Sequence, residues 1–174
     1  QDPYESMNPR MDVQTIISEP LRIQGLANTV HESRDVVSSV LADVEMIPPE
    51  EYMPRYPHEL PGGQRQRVAV ARALSLDPDF IVADEPVSML DVSIRGEVLN
   101  LMLNLSREKG VTFVYITHDL ATARHICDRI AVMYLGKIVE MGTAEEVIRN
   151  PLHPYTTALI GAVFVPDPAH RGIA

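Results

Sequence analysis

The sequence contains a single cysteine, no tryptophan and only 2 lysines in its 174 residues. The lone thiol, Cys127, excludes a disulfide within the chain and a metal site built from several cysteines. Small secreted domains are rich in disulfides, so this scarcity predicts a reducing compartment. We therefore expect a cytoplasmic protein.

Two classes of interaction are disfavoured by what the sequence lacks. Acidic residues number 24 against 15 basic ones, and the basic side chains are scattered instead of forming a stripe. The resulting net charge of -9 disfavours direct binding to nucleic acid. No stretch approaches the roughly 20 apolar residues that cross a bilayer, so we expect only peripheral membrane contact. With 45% hydrophobic residues, the chain can bury the core of one domain, or form one large piece of a larger protein.

Helical periodicity in the first third of the chain gives way to alternating strands and helices. Residues 1–60 predict amphipathic helices in "VQTIISEPLRIQGL", with Pro20 as a kink and Gly25 as a C-cap, and in "SRDVVSSVLADVEM". Their apolar stripes comprise Val13, Ile16, Ile17, Leu21 and Leu26, and Val36, Val37, Val40, Leu41 and Val44. Residues 61–142 alternate strands with helices, which predicts a parallel sheet with right-handed crossovers. Residues 143–174 predict two short helices separated by "NPLHP".

Two adjacent carboxylates, Asp84 and Glu85, end the apolar run in "FIVADEPVSMLD". Residues 80–83 predict a strand buried on both faces, so the carboxylates would emerge where the strand leaves the core. Enzymes with α/β folds keep their ligands at that edge of the sheet. Taken alone, the pair fits a helix cap or a surface turn equally well.

Two further features surround the acidic pair in the sequence. Gly62 and Gly63 in "ELPGGQRQRVAVARAL" lead into a helix whose first N–H groups and dipole favour an anion, although a plain hinge is an alternative. His118 follows the strand "VTFVYIT", so we expect it at the same sheet edge as Glu85. A surface or capping histidine is the alternative there. We interpret Arg65, Arg67 and Arg72 as solvated or core-rim residues.

In this order and at these intervals, the motifs resemble those of the ATP-binding subunits of ABC transporters. "LPGGQRQRVAVARAL" resembles the signature motif of the family, "FIVADEP" its Walker B strand, "SMLD" its D-loop and "YITHD" its switch histidine. "QDPYESMNP" resembles the Q-loop and makes Gln1 the Q-loop glutamine. "PRYPHEL" and "NPLHPYTTAL" are similar to stretches of the oligopeptide, dipeptide and nickel importer subunits. The resemblance runs from Gln1 to about residue 168.

The resemblance implies an α/β fold of the P-loop NTPase type and a division of the chain into three parts. Residues 1–60 would hold the Q-loop and the helical subdomain, and residues 61–142 the latter part of the parallel-sheet nucleotide-binding core. Residues 143–174 would form the C-terminal helical extension of the peptide-importer type. The fragment would belong to an ATPase that energises an importer of peptides or similar small solutes.

The resemblance also implies ATP and Mg²⁺ as ligands and a role for each motif. Asp84 would hold Mg²⁺ through water, and Glu85 would polarise the attacking water. Because adjacent strand residues point to opposite sides, two roles are compatible with the pair. His118 would contact the γ-phosphate, and Gln1 the metal or the water. The signature residues would face the nucleotide of an opposing subunit; they are Pro61, Gly62, Gly63 and Gln64. Asp91 would bridge the two subunits.

The implied partners are those of a membrane transporter. They are a second ATP-binding subunit, two transmembrane permease subunits and, indirectly, a solute-binding protein, with no nucleic acid. The subunit would lie peripherally on the inner face of the cell membrane, with residues 2–60 against the permease.

The sequence departs from the family pattern in two places. A P-loop requires G-x-x-x-x-G-K-[ST], but Gly136 and Lys137 are followed by Ile138, and the chain has no such motif. In the family this loop precedes the Q-loop, so we expect the isolated chain to bind Mg-ATP very weakly, as isothermal titration calorimetry would measure. Pro61 stands where the signature usually has serine, which removes a hydroxyl donor. No cysteine follows Cys127, so we expect no iron-sulfur cluster.

Two other functions remain open at this point. A non-catalytic interaction module that docks on a permease or regulator is favoured by Pro61 and by the missing P-loop. An ABC-class ATPase of DNA repair shares the signature, Walker B and switch histidine. It would carry long heptad repeats or zinc-ligating cysteines, and the sequence has neither.

Overall fold

The computed structural model describes residues 7–162, and Gln1 lies outside them. One compact unit ends at Ile116 and a second begins at Thr117. The first contains α1 (Val13–Ile23), α2 (Arg34–Asp43), α3 (Pro49–Tyr52), a 3-10 turn (Pro57–Glu59), α4 (Gly62–Leu74), β1 (Phe80–Asp84), α5 (Val92–Lys109) and β2 (Thr112–Ile116). The second contains α6 (Leu120–Ile126), β3 (Arg129–Tyr134), β4 (Lys137–Thr143), α7 (Ala144–Arg149) and α8 (Pro154–Ala162). The three-part division at residues 60 and 142 stays a prediction.

Helix α1 begins at a side-chain cap and contains the proline expected within it. The carboxylate of Asp12 accepts a hydrogen bond from the Thr15 amide at 2.8 Å, which satisfies one of the N–H groups that the first turn leaves without a helical partner. Pro20 lies inside the helix, and Gly25, with φ of 70°, follows its end. The predicted burial of Leu26 is wrong, because the chain leaves the helix before it and its side chain is exposed.

Helices α1, α2 and α4 pack together around the larger core of the first unit. Its fully buried members include Val13, Ile16, Ile17, Val37, Leu41, Val44 and Val68. Val36 was predicted to share this stripe, but its side chain is exposed, since neighbouring helical positions are about 100° apart. Ser18 and Ser33 are buried where α1 meets the start of α2, and their hydroxyls are 2.6 Å apart. The hydrogen bond satisfies polar groups that would be costly to bury alone.

Strands β1 and β2 pair in parallel, as predicted, with Phe80 opposite Thr112 and Asp84 opposite Ile116. Ala83 and its neighbours on one face pack against α5. The prediction that β1 is buried on both faces is wrong. Phe80 is 61% exposed and Val82 is 55% exposed, and beside them on β2 Val114 and Ile116 are each 48% exposed. Helices cover only one side of this sheet within the described residues, so its other apolar side is open.

The second unit is built on an antiparallel hairpin. Strands β3 and β4 turn at Gly136, and a bulge interrupts their register after Val132. Thr143 caps α7 by a reciprocal pair of hydrogen bonds with Glu146. The two predicted C-terminal helices are α7 and α8. Among residues 7–162, no helix has the length and apolar character needed to span a bilayer.

Candidate functional site

The acidic pair lies where β1 ends, and its two members have different backbone conformations. Asp84 is the last residue of the strand, whereas Glu85 follows it with φ of 45°, in the left-handed region. The Glu85 amide donates to the Ile116 carbonyl at 2.9 Å, so the chain turns while still held to the end of β2. Strand alternation therefore does not separate the two side chains as we expected, because Glu85 is not a strand residue. A left-handed non-glycine residue is uncommon and often marks a functional position.

The turn after Glu85 leads into a short loop that we call the 88–91 loop after its residues. Ser88 donates to the Glu85 carbonyl through its amide at 3.2 Å and through its hydroxyl at 3.0 Å. Asp91 precedes α5 as its N-cap residue. The loop is thus fastened directly to Glu85 at one end and to a helix of 18 residues at the other.

The predicted signature residues form the start of α4 and face the 88–91 loop across a cavity. Pro61 is the N-cap and makes no side-chain capping bond, so the first amides of the helix gain no partner from it. Residues 61–64 and residues 89–91 line the same cavity of about 570 Å³. The structure therefore brings Pro61, Gly62, Gly63 and Gln64 together with Asp91, all within the first unit.

Arginines of α4 hold the helix in place, whereas they were predicted to be solvated or core-rim residues. Arg65 donates to the Leu60 carbonyl at 2.5 Å, and Arg72 pairs with Glu19 of α1 at 2.5 Å. Arg67 donates from one guanidinium nitrogen to both the Val44 carbonyl and the Glu45 carboxylate, each at 2.7 Å. These side chains therefore connect α4 to neighbouring segments of the first unit by hydrogen bonds and ion pairs.

A fourth arginine, Arg95, fixes the 88–91 loop from within α5. Its guanidinium donates to the Leu90 carbonyl at 3.2 Å and approaches the Ser88 carbonyl at 3.5 Å. Arg95 was not among the predicted site residues. The available signal was its position one helical turn after Asp91, from which a long side chain reaches back over the helix start.

His118 lies in the second unit, two residues beyond the end of β2, and its side chain is exposed. The next residue, Asp119, caps α6 by accepting from the amides of Ala121 and Thr122 at 3.0 Å and 3.2 Å. The ends of β1 and β2 share one sheet edge, with Asp84 beside Ile116. The convergence of His118 with the acidic pair stays a prediction, as does the role of Gln1 outside the described residues.

The described part of the chain holds no cluster of three or more carboxylate, histidine or cysteine side chains that would bind a metal by themselves. Mg²⁺ is usually bound by one or two carboxylates together with waters and phosphate oxygens. Asp84 is half-buried at the strand end, and its role as a metal ligand stays a prediction.

Comparison with known proteins assigns the family. The model of the ABC transporter family matches residues 1–88, and that of the oligopeptide/dipeptide transporter C-terminal region matches residues 139–174. The oligopeptide transport ATP-binding protein OppF of Bacillus subtilis is 54% identical over 171 residues, which cover 98% of this chain and 55% of the relative. OppF of Escherichia coli is 52% identical over 168 residues, covering 97% and 50%. The chain spans about half the length of the curated relatives it matches.

Solved structures share the fold. CbiO1 of Clostridium perfringens, described as part of the ABC transporter complex CbiONQ, superposes with a TM-score of 0.72 at 27% identity, covering 84% of this chain and 56% of that one. The ATP-binding cassette MJ0796, solved as a dimer in a post-hydrolysis state with ADP and Pi, gives a TM-score of 0.65 at 31% identity, covering 79% and 59%. The fold is that of the ABC ATPases, and the chain belongs to the ABC transporter family, with a C-terminal region of the oligopeptide/dipeptide type.

Proposed function

We propose that this chain is part of the ATP-hydrolysing subunit of an ABC importer that takes up oligopeptides or similar small solutes. The observation that carries the proposal is the placement of Asp84 and Glu85 at the end of β1, with the glycine-started helix α4 in the same unit. The names of the OppF relatives support the transport assignment. The DNA-repair alternative finds no support among these relatives.

Each polar group then has a chemical task in phosphoryl transfer, which depends on positioning and charge stabilisation more than on covalent chemistry. Glu85 would accept a hydrogen bond from the attacking water and align it with the γ-phosphorus. Asp84 would hold Mg²⁺, which neutralises the charge on the phosphate oxygens. His118 would donate to the γ-phosphate, and Gln1 would contact the metal or the water.

The start of α4 would act on a second nucleotide, bound mainly by another ATP-binding subunit. Its first-turn amides and helix dipole favour an anion, and Gly62 and Gly63 allow close approach. Asp91, on the same cavity wall, would contact the partner subunit. Closure of the two subunits would drive a pair of transmembrane permease subunits at the inner face of the membrane, supplied with solute by a binding protein. Residues 2–60 would contact the permease.

A full-length subunit containing this chain tests the proposal through its ATPase activity. We expect Glu85→Gln to lower kcat by about 100-fold or more, since positioned general bases contribute about 10²- to 10⁴-fold. Glu108→Gln is the matched control, because Glu108 is an exposed glutamate on α5 and should leave kcat unchanged. Equal kcat values for Glu85→Gln and wild type would refute the assignment of Glu85.

The second candidate is a non-catalytic module that docks on a permease or regulator. The proline at position 61 favours it, because proline offers neither a hydroxyl nor an amide N–H to a phosphate. A full-length subunit that co-purifies with the permease but neither binds nor hydrolyses ATP would establish this function over the first.

A further inference from the structure

The second glycine of α4 packs against a side chain of α5 more closely than any other residue type allows. A Cβ atom added to Gly63 would lie 2.5 Å from Cγ2 of Ile94, whereas ordinary van der Waals contacts begin near 3.4 Å. At Gly62 the corresponding atom would lie 3.3 Å from Cδ2 of Leu90, which a small shift relieves. Gly63 is therefore the tight contact of the pair.

Backbone conformation does not explain the glycine at position 63. The residue lies in the first turn of α4, and it does not have the positive φ that favours glycine at Gly25, Gly110 and Gly136. The close approach of Ile94 is the structural reason within this chain for having no side chain there. At this point the Cγ2 methyl group of Ile94 occupies the space that a side chain at position 63 would need.

Ile94 also belongs to the segment that carries the 88–91 loop. Arg95, its neighbour, donates to the Leu90 carbonyl, and the amide of Arg95 donates to the Asp91 carbonyl at 2.9 Å. At its other end the loop is bonded to the Glu85 carbonyl through Ser88. A continuous set of contacts therefore connects Gly63, Ile94, the loop and Glu85.

We propose that Ile94 is a positioning residue that fixes the start of α4 relative to the 88–91 loop, so that both move together with Glu85. This inference rests on the proposed function. The start of α4 would contact a nucleotide that is shared with the second subunit, whereas Glu85 would align water at the chain's own nucleotide. Through Ile94, a displacement at the first nucleotide would therefore be transmitted to Glu85 at the second.

The proposal predicts that the effect of a side chain at position 63 depends on residue 94. In a full-length subunit, Gly63→Ala forces a displacement of about 1 Å, and a misplacement of that size can cost about 100-fold in rate. We expect kcat to fall by about 10- to 100-fold, while KM for ATP changes less than about threefold, because α4 is not the main binding site for the chain's own nucleotide.

The compensating change is Ile94→Ala. It removes Cγ2 and leaves Cβ, which would lie 4.0 Å from the Cβ of residue 63, an ordinary contact. We expect the double variant Gly63→Ala/Ile94→Ala to recover kcat to within about threefold of Ile94→Ala alone. Gly63→Ala/Ile94→Val retains the branched methyl groups and should not recover.

Gly96→Ala on α5 is the matched control, since a Cβ there meets nothing within 4 Å, and it should leave kcat unchanged. If Gly63→Ala/Ile94→Ala is as slow as Gly63→Ala, Ile94 is not the constraint and the proposal is wrong.

Thermal unfolding of the same variants separates this proposal from the proposed function. The two substitutions should lower Tm by less together than the sum of their separate effects, whether or not the protein hydrolyses ATP. Non-additive Tm values without ATPase activity would refute only the proposed function, whereas additive values would refute the role of Ile94.

Discussion

Arg67 provides the sharpest test of how α4 is held in the first unit, and we predict that Arg67→Met destabilises the protein. The side chain is only 14% exposed, and it donates to the Val44 carbonyl and to Glu45, each at 2.7 Å. Val44 is fully buried, so the substitution would remove a charged donor from a carbonyl group of a buried residue. Methionine retains the apolar stem, which isolates the loss of the hydrogen bonds.

The magnitude follows from the surroundings of each partner. A hydrogen bond from a charged donor contributes about 1.5 to 3 kcal/mol, which applies to the Val44 carbonyl. Glu45 is 58% exposed, so solvent screening limits that ion pair to about 0 to 1 kcal/mol. We expect the free energy of unfolding to fall by about 2 to 3 kcal/mol.

Urea unfolding of a full-length subunit measures the change, with two controls. Arg149→Met removes an exposed ion pair with Glu145, both side chains more than 60% exposed, and should cost about 0.5 kcal/mol or less. Glu45→Gln removes one of two exposed carboxylates near Arg67, the other being Glu97 at 4.0 Å, and should cost less than about 1 kcal/mol. If Arg67→Met costs no more than Arg149→Met, the bond to the Val44 carbonyl does not hold α4 and the reasoning is refuted.

Two further predictions concern Glu140 and Pro61. Amide N–H groups of Leu152 and His153 donate to Glu140 at 2.8 Å and 3.0 Å and hold the pKa of its carboxyl below the ordinary value of 4.5. The unfolded chain then binds more protons in acid, so this stabilisation is complete above about pH 4.5 and is lost as pH falls through the lower folded pKa. The stability difference between wild type and Glu140→Gln should therefore shrink below pH 4.5 in pH-dependent urea unfolding, and a constant difference would contradict this. In a full-length subunit, Pro61→Ser restores a hydroxyl at the start of α4 and should raise kcat by about 10- to 100-fold, since a bond to a charged group contributes about 1.5 to 3 kcal/mol; an unchanged rate would show that the hydroxyl is not needed.

Local signals in the sequence were sufficient to predict most elements of the fold. Pro20 lies within α1, and Gly25 follows its end in the left-handed conformation, as predicted. Capping and turn chemistry depend on a few neighbouring residues, which a sequence displays directly. Periodicity likewise identified the buried faces of α1 and α2 except at Leu26 and Val36.

The missed features depend on contacts between distant parts of the chain. Arg67 reaches a carbonyl 23 residues earlier, and Gly63 meets Ile94 only because two helices cross there. Periodicity cannot supply either partner. The left-handed turn at Glu85 was also missed, since an acidic residue carries little of the preference that glycine shows for that conformation.

The open side of the β1–β2 sheet affects how stable the first unit is by itself. Four apolar side chains, Phe80, Val82, Val114 and Ile116, remain about half in contact with water. Removing the rest of their area from water would contribute roughly 3 to 6 kcal/mol, at about 1.5 to 3 kcal/mol per fully buried side chain. That is comparable to the whole stability margin of many domains, roughly 5 to 15 kcal/mol. Until this surface is covered, the first unit lacks a stabilising contribution of that size.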